Sequence, residues 1–290
     1  MRRFLMLFAL LFAPVSVAQI APECRGVKGG PDYDEVTQQD FLSNYVGLST
    51  TLSPLHGPIP HEPGRGAVGL ELAVMPPLSC ERRLVLGGTK TEDTNKTPVV
   101  PRPRITFAFP AMGAIRPYAG VAYVPPVPVF GTTNVILSAE IGAGMEVGAV
   151  QLGGRFHATS HKLIGEVATP FNKKDPAKDD LFIGSSFGVD VLFGLPLEGF
   201  TPYASMGLTD VSTFFFIGDD NVVTNNYHPY LGWVSSLGVD ALVAGWIRLG
   251  GEFYAAPGGY SLPDDEAESL SGMGRYGSLY TARIRVAAEL

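Results

Sequence analysis

The last eleven residues, Tyr280 to Leu290, read YTARIRVAAEL and admit few folds. Tyr280, Ala282, Ile284, Val286, Ala288 and Leu290 share one parity; Thr281, Arg283, Arg285, Ala287 and Glu289 share the other. Side chains of a strand alternate between faces, so a strand here has one apolar face and one charged face. A helix would scatter Arg283 and Arg285 around its surface. The rhythm begins at Gly66 and predicts strands near 66–76, 102–110, 115–125, 133–143, from 147, 181–194, 199–214, 228–241, 245–256 and 280–290. Each is long enough for the ~9–11 tilted residues a membrane-crossing strand requires.

Along these segments one parity is apolar, as with Ile105, Phe107, Leu137, Ile141, Val189 and Val191. The other carries Glu71, Arg104, Arg116, Glu140, Arg155, His157, Asp190, Asp240, Arg248, Glu252, Arg283 and Arg285. With Glu289, six arginines face six carboxylates. An apolar outside and a charge-balanced inside describe an all-β fold, a closed antiparallel transmembrane β-barrel. The connections agree: expected long loops near 77–101, 126–132, 169–180, 215–227 and 257–276 alternate with short turns near 111–114, 144–146, 195–198 and 242–244. Both barrel ends then lie on the short-turn side, so the strand number is even. Ten is the first reading, with eight or twelve as alternatives because Arg83 to Leu86 can supply another strand.

Residues 1–18 read as an export signal: Arg2 and Arg3, an apolar run from Phe4 to Phe12, and Ser16-Val17-Ala18 before a cleavage point. Without it the chain holds 19 Lys and Arg against 28 Asp and Glu, a net charge of −9. That excludes nucleic acid as an expected partner, since such partners want basic surface. Residues 19–65 form a periplasmic or plugging segment. Thr37 to Asp40 resembles a capping box before a short helix near 37–48, and Pro54, Pro58, Pro60 and Pro63 mark a linker. Cys24 and Cys80 are a candidate disulfide in an exported chain. With Cys80 in an outer loop and Cys24 starting on the periplasmic side, three outcomes are open. There is no bond, or residues 19–65 plug the barrel, or the first strand runs the other way.

Gln151 to His157, QLGGRFH, matches Arg248 to Tyr254, RLGGEFY, and Gly188-Val189-Asp190 matches Gly238-Val239-Asp240. Repeated strand geometry accounts for this more simply than a paired ligand site. Export signal, alternating strands, uneven loops and a final strand reaching the last residue together resemble Gram-negative outer-membrane β-barrel proteins, over residues 66–290. Members usually end in Phe or Trp, whereas this chain ends in Leu290.

The resemblance implies a monomer in the cell outer membrane, contacting outer-membrane lipid and lipopolysaccharide and inserted by the barrel assembly machinery. Side chains just fill a barrel of about eight strands, so ten should be nearly closed. The expected role is structural or narrow small-solute transport. The alternative is surface adhesion or binding through the long loops, which carry acidic clusters such as Asp264, Asp265, Glu266 and Glu268. A third reading is an outer-membrane lipid hydrolase, but His157 is followed by Thr159, and Ser160 points to the other face. No enzymatic role, cofactor or metal is expected; four residues along a strand put His157 and His161 roughly 13 Å apart, too far to share an ion.

Overall fold

A computed structural model describes residues 35–76, 78, 84–85, 90–92, 99–129, 132–165, 168–170, 180–217, 222–225, 227, 229–258 and 277–290. The export signal, residues 19–34, Cys24, Cys80 and most of the long loops lie outside them. The described elements begin with a helix, α1 (Glu35–Thr50), and an irregular stretch, 51–65. The strands follow as β1 (Gly66–Val74), β2 (Leu84–Val85), β3 (Lys90–Glu92), β4 (Val99–Ala108), β5 (Arg116–Val129), β6 (Thr132–Val147) and β7 (Val150–Gly165). Then come β8 (Ala168–Pro170), β9 (Asp180–Gly194), β10 (Phe200–Ile217), β11 (Val222–Asn225), β12 (Tyr230–Val243), β13 (Ile247–Ala256) and β14 (Leu279–Glu289).

Ten strands close a ring in the order β1-β4-β5-β6-β7-β9-β10-β12-β13-β14, and β14 returns antiparallel to β1 with Ala67 opposite Glu289. The extra segment anticipated near Arg83 to Leu86 does not enter the wall. β2, β3 and β8 form a separate small sheet, so the barrel stays at ten.

One expectation changes. The long loop placed at 126–132 is instead strand: β5 runs to Val129 and β6 starts at Thr132. The run Pro125, Pro126 and Pro128 is absorbed by a register shift between Val124 and Val127, since proline lacks the N–H that an unbroken ladder would use. The loop end is therefore uneven in height. Strands β5, β6, β7, β9 and β10 span 14 to 18 residues, while β1 and β13 span 9 and 10.

The other end is trimmed by turns. Gly148 adopts φ 63° at the first loop position between Val147 and Val150, as a two-residue type II′ hairpin demands. Ala244 and Gly245 have φ 54° and 77° in the turn between β12 and β13, a pairing typical of type I′.

The wall alternates as the sequence does. Outward Val191, Leu237 and Ile141 are 68%, 66% and 59% exposed, whereas inward Glu71 and Arg283 are fully buried. An apolar surface of this extent is not tolerated in water; a bilayer core covers it. Among the described residues no helix is long and apolar enough to cross a membrane.

Candidate functional site

The interior is occupied by the chain itself. Residues 40–61 run down the lumen and are buried nearly throughout, Leu48, Leu52, Leu55 and His56 completely. Near the loop mouth, Phe41, Tyr45 and Leu48 of α1 pack on Val211, Tyr230, Val234, Tyr254, Ala256 and Leu279. The backbone N–H of Tyr230 donates to Asn44 Oδ1 at 3.1 Å, and the Tyr45 hydroxyl donates to the carbonyl of Pro76. Deeper in, Thr51 Oγ1 donates to Ser186 Oγ at 3.1 Å. The Leu55 N–H donates to Glu252 Oε2 at 3.1 Å, which holds Leu55 in a left-handed conformation at φ 52°. At the turn mouth, His61 Nε2 stands 2.6 Å from Thr106 Oγ1 and Gly64 N–H donates to Ala108 O, just before β1 begins.

The seat is built from two devices. The first answers the end of the helix. The last carbonyls of a helix have no intrahelical partner and form the negative end of its dipole. α1 has no basic residue in its last turn. The wall supplies four arginines instead. Arg283 donates to Thr51 O at 2.6 Å and Leu48 O at 3.4 Å, and Arg102 to Thr50 O at 2.6 Å. Arg155 donates to Leu52 O at 2.8 Å and Arg104 to Ser53 O at 2.9 Å. Charge-assisted bonds of this kind contribute roughly 1.5–3 kcal/mol each.

Carboxylates link these arginines across strands. Glu71 accepts from Arg102 and from Arg104 at 3.3 Å; Glu140 accepts from Arg104 at 2.6 Å and Arg155 at 2.9 Å. Asp190 accepts from Arg155 Nη2 at 2.6 Å and lies 3.6 Å from His157 Nε2. His56 of the plug stands 3.6 Å from Glu140 Oε2, and the Arg283 guanidinium lies 4.3 Å from the centre of the Tyr254 ring.

The second device is absence of side chains. Inward Gly144 faces Gly153 across β6 and β7, and inward Gly194 on β9 stands one step along, opposite Gln151. Added Cβ atoms at Gly153 and Gly194 would meet Pro58 at 3.0 and 2.6 Å, and one at Gly144 would overlap the Pro58 carbonyl. Across the barrel a Cβ at Gly250 would stand 2.8 Å from Leu55 O. Gly153 and Gly250 are the same position of the QLGGRFH and RLGGEFY repeat. The repeat therefore marks two places where the wall makes room for the plug.

Of the residues the alternation placed inside, Glu71, Arg104, Glu140, Arg155, His157, Asp190, Asp240, Glu252, Arg283 and Arg285 are buried in the lumen. Arg248 closes its turn end, bonded to Asp240 and Glu289 at 2.8 Å each. Arg116 does not join them. It stands on the turn rim, 26% exposed, beside Glu62 at 3.4 Å and Glu146 at 3.5 Å, because its strand has only begun there. Arg102 takes its place in the interior, two residues before Arg104 on the same face. His56 and His61 were masked by their proline-rich surroundings. The His157 ring is buried beside Asp190, and Ser160 lies on the exposed outer face, so the pair needed for a lipid hydrolase is not assembled.

This chain is a closed ten-stranded antiparallel β-barrel with an apolar outer face. No protein-family model matches it, and no curated protein does. Solved structures with a similar outline include the translocator domain of the autotransporter NalP from Neisseria meningitidis, at 11% identity over 79% of this chain and 88% of that one, TM-score 0.40. Others are the Pseudomonas putida toluene transporter TodX, at 10% over 86% and 75%, TM-score 0.37, and Ail, the attachment invasion locus protein of Yersinia pestis, at 8% over 79% and 100%, TM-score 0.34. At such identities the likeness is one of fold.

Proposed function

We propose that this protein is a monomeric barrel of the cell outer membrane whose resting lumen is closed by its own residues 40–61. Its role is structural, with passage of small solutes only when that segment shifts. The observation that carries this is the set of four wall arginines on the carbonyls of Leu48 and of Thr50 to Ser53. A conducting pore needs sites that an ion can enter and leave, along a wetted path. Here the charged groups that would line such a path are spent on one another and on the plug. Lipid and lipopolysaccharide cover the apolar wall, and insertion falls to the barrel assembly machinery.

The test is conductance of the refolded protein in planar bilayers. The full chain is expected to be silent, and Gly144→Leu, which drives a side chain into Pro58, is expected to open brief small steps. A large steady conductance from the unaltered chain would overturn the reading. A second reading, binding through the outer loops, draws on the tall wall formed by β5, β6, β7, β9 and β10 on the loop side. Loss of cell-surface binding on deleting 259–276 would favour it.

A further inference from the structure

The path of the plug has a direction. Asn44 is fixed at the loop mouth by Tyr230 and lies against Gly277, where an added Cβ would come within 2.6 Å of its own. Thr51 is level with Ser186 in mid-barrel, Leu55 with Gly250, Pro58 with Gly153 and Gly194, and His61 with Thr106 and Glu289 at the turn mouth. Each step lies further from the loops than the one before, and β1 then turns back upward. The chain thus enters its own barrel at the loop end, traverses it, and only then starts the wall.

We infer that the residues leading into α1 stand outside the cell, delivered there through the barrel that the rest of the chain builds. This rests on reading the loop mouth as the outer one. Two physical points support it. The route back to the periplasm is blocked, because the lumen beside α1 is filled by Phe41, Tyr45, Leu48 and the wall residues packed on them. The plug also cannot be threaded late: the arginine bonds come from β4, β7 and β14, three separated parts of the ring. β14 closes on β1 with the segment already inside. The outer surface therefore carries one more stretch of chain than the hairpins alone provide.

The experiment labels single cysteines on intact cells with a membrane-impermeant maleimide, in the full chain carrying Cys24→Ser and Cys80→Ser. Lys28→Cys probes the leading segment, Asp265→Cys the loop side and Glu198→Cys the turn side. Heat-modifiable gel migration of each variant reports closure. Lys28→Cys is expected to react on intact cells as fully as Asp265→Cys, while Glu198→Cys reacts only after the outer membrane is permeabilised. If Lys28→Cys reacts only with Glu198→Cys, or in neither condition, the inference fails while the barrel's orientation stands. If Asp265→Cys is the one that needs permeabilisation, the orientation itself is wrong and both readings fall.

Discussion

Glu140 is the test of whether the lumen is dry. Its carboxylate is fully buried and holds Arg104 at 2.6 Å and Arg155 at 2.9 Å, with His56 of the plug at 3.6 Å. Removing one member of a buried ion pair costs about 3–5 kcal/mol, because a charge is left without compensation. Neither arginine is stripped bare here: Arg104 keeps Glu71 at 3.3 Å and Arg155 keeps Asp190 at 2.6 Å. Glu140→Ala should therefore cost near the lower bound, about 3 kcal/mol. Arg104→Met together with Glu140→Leu leaves two pairs, Arg102 with Glu71 and Arg155 with Asp190, while the Ser53 carbonyl and Arg155 Nη1 each lose a partner and His56 loses its carboxylate neighbour. That double variant is expected within about 2 kcal/mol of the parent, less than the sum of Arg104→Met and Glu140→Leu measured singly beside it.

The measurement is urea unfolding of protein refolded into lipid vesicles, followed through the outward-facing Trp233 and Trp246, with the slope checked for constancy across variants. Were the lumen wide and watered, the same charges would contribute only about 0.2–1 kcal/mol per pair. A cost below about 1 kcal/mol for Glu140→Ala, with no coupling to Arg104, would refute the seated plug.

Ala244 holds φ 54° without being glycine, so Ala244→Asn should raise stability by about 1 kcal/mol, read as a higher urea midpoint. Asp210 points to the lipid side of β10, touching only Ser212 at 3.5 Å among the bonds its side chain makes, and Asp210→Leu should stabilise the vesicle-inserted barrel by about 1 kcal/mol. If the residues before α1 stand on the loop side as inferred above, Cys24 can reach Cys80, and mass spectrometry without reductant should find their peptides joined. Separate peptides with free thiols would count against it.

The wall was legible because its signal is local. Strand alternation needs only neighbouring residues, and a slip of one would turn Arg283 and Arg285 into lipid, so the pattern is strongly written. Arg102 was missed although the strand expected near 102–110 starts on it and it shares the parity of Arg104. The destination of residues 40–61 was not legible. A helix walled in on every side needs no single apolar stripe, and α1 mixes Phe41, Tyr45 and Leu48 with buried Asp40 and Asn44. Nor does a linker rich in proline announce that His56 and His61 will meet Glu140 and Thr106. Of the three outcomes for the cysteines, the reversed first strand is removed, because β1 runs antiparallel to both β14 and β4.

Strand number explains why a plug exists at all. An eight-stranded barrel is narrow enough for its own side chains to fill, and ten strands enclose more than that. Long arginines could reach inward from every side, but six of them meeting at the axis would repel, and carboxylates alone do not supply volume. A piece of backbone solves both problems. It brings bulk in Phe41, Leu48 and Leu52, and it brings carbonyls, which accept from guanidinium without adding charge. The glycines at 144, 153, 194 and 250 then follow as a requirement: where the inserted chain is thickest, at Pro58 and Leu55, the wall must be thinnest. Gly153→Leu and Gly250→Leu should accordingly weaken the seat from opposite sides. Each is expected to lower the urea midpoint on its own, and together they should cost less than the sum, since a plug already displaced by one has less to lose to the other. Full additivity would mean that Pro58 and Leu55 are held independently and that the two halves of the repeat do not serve one insert.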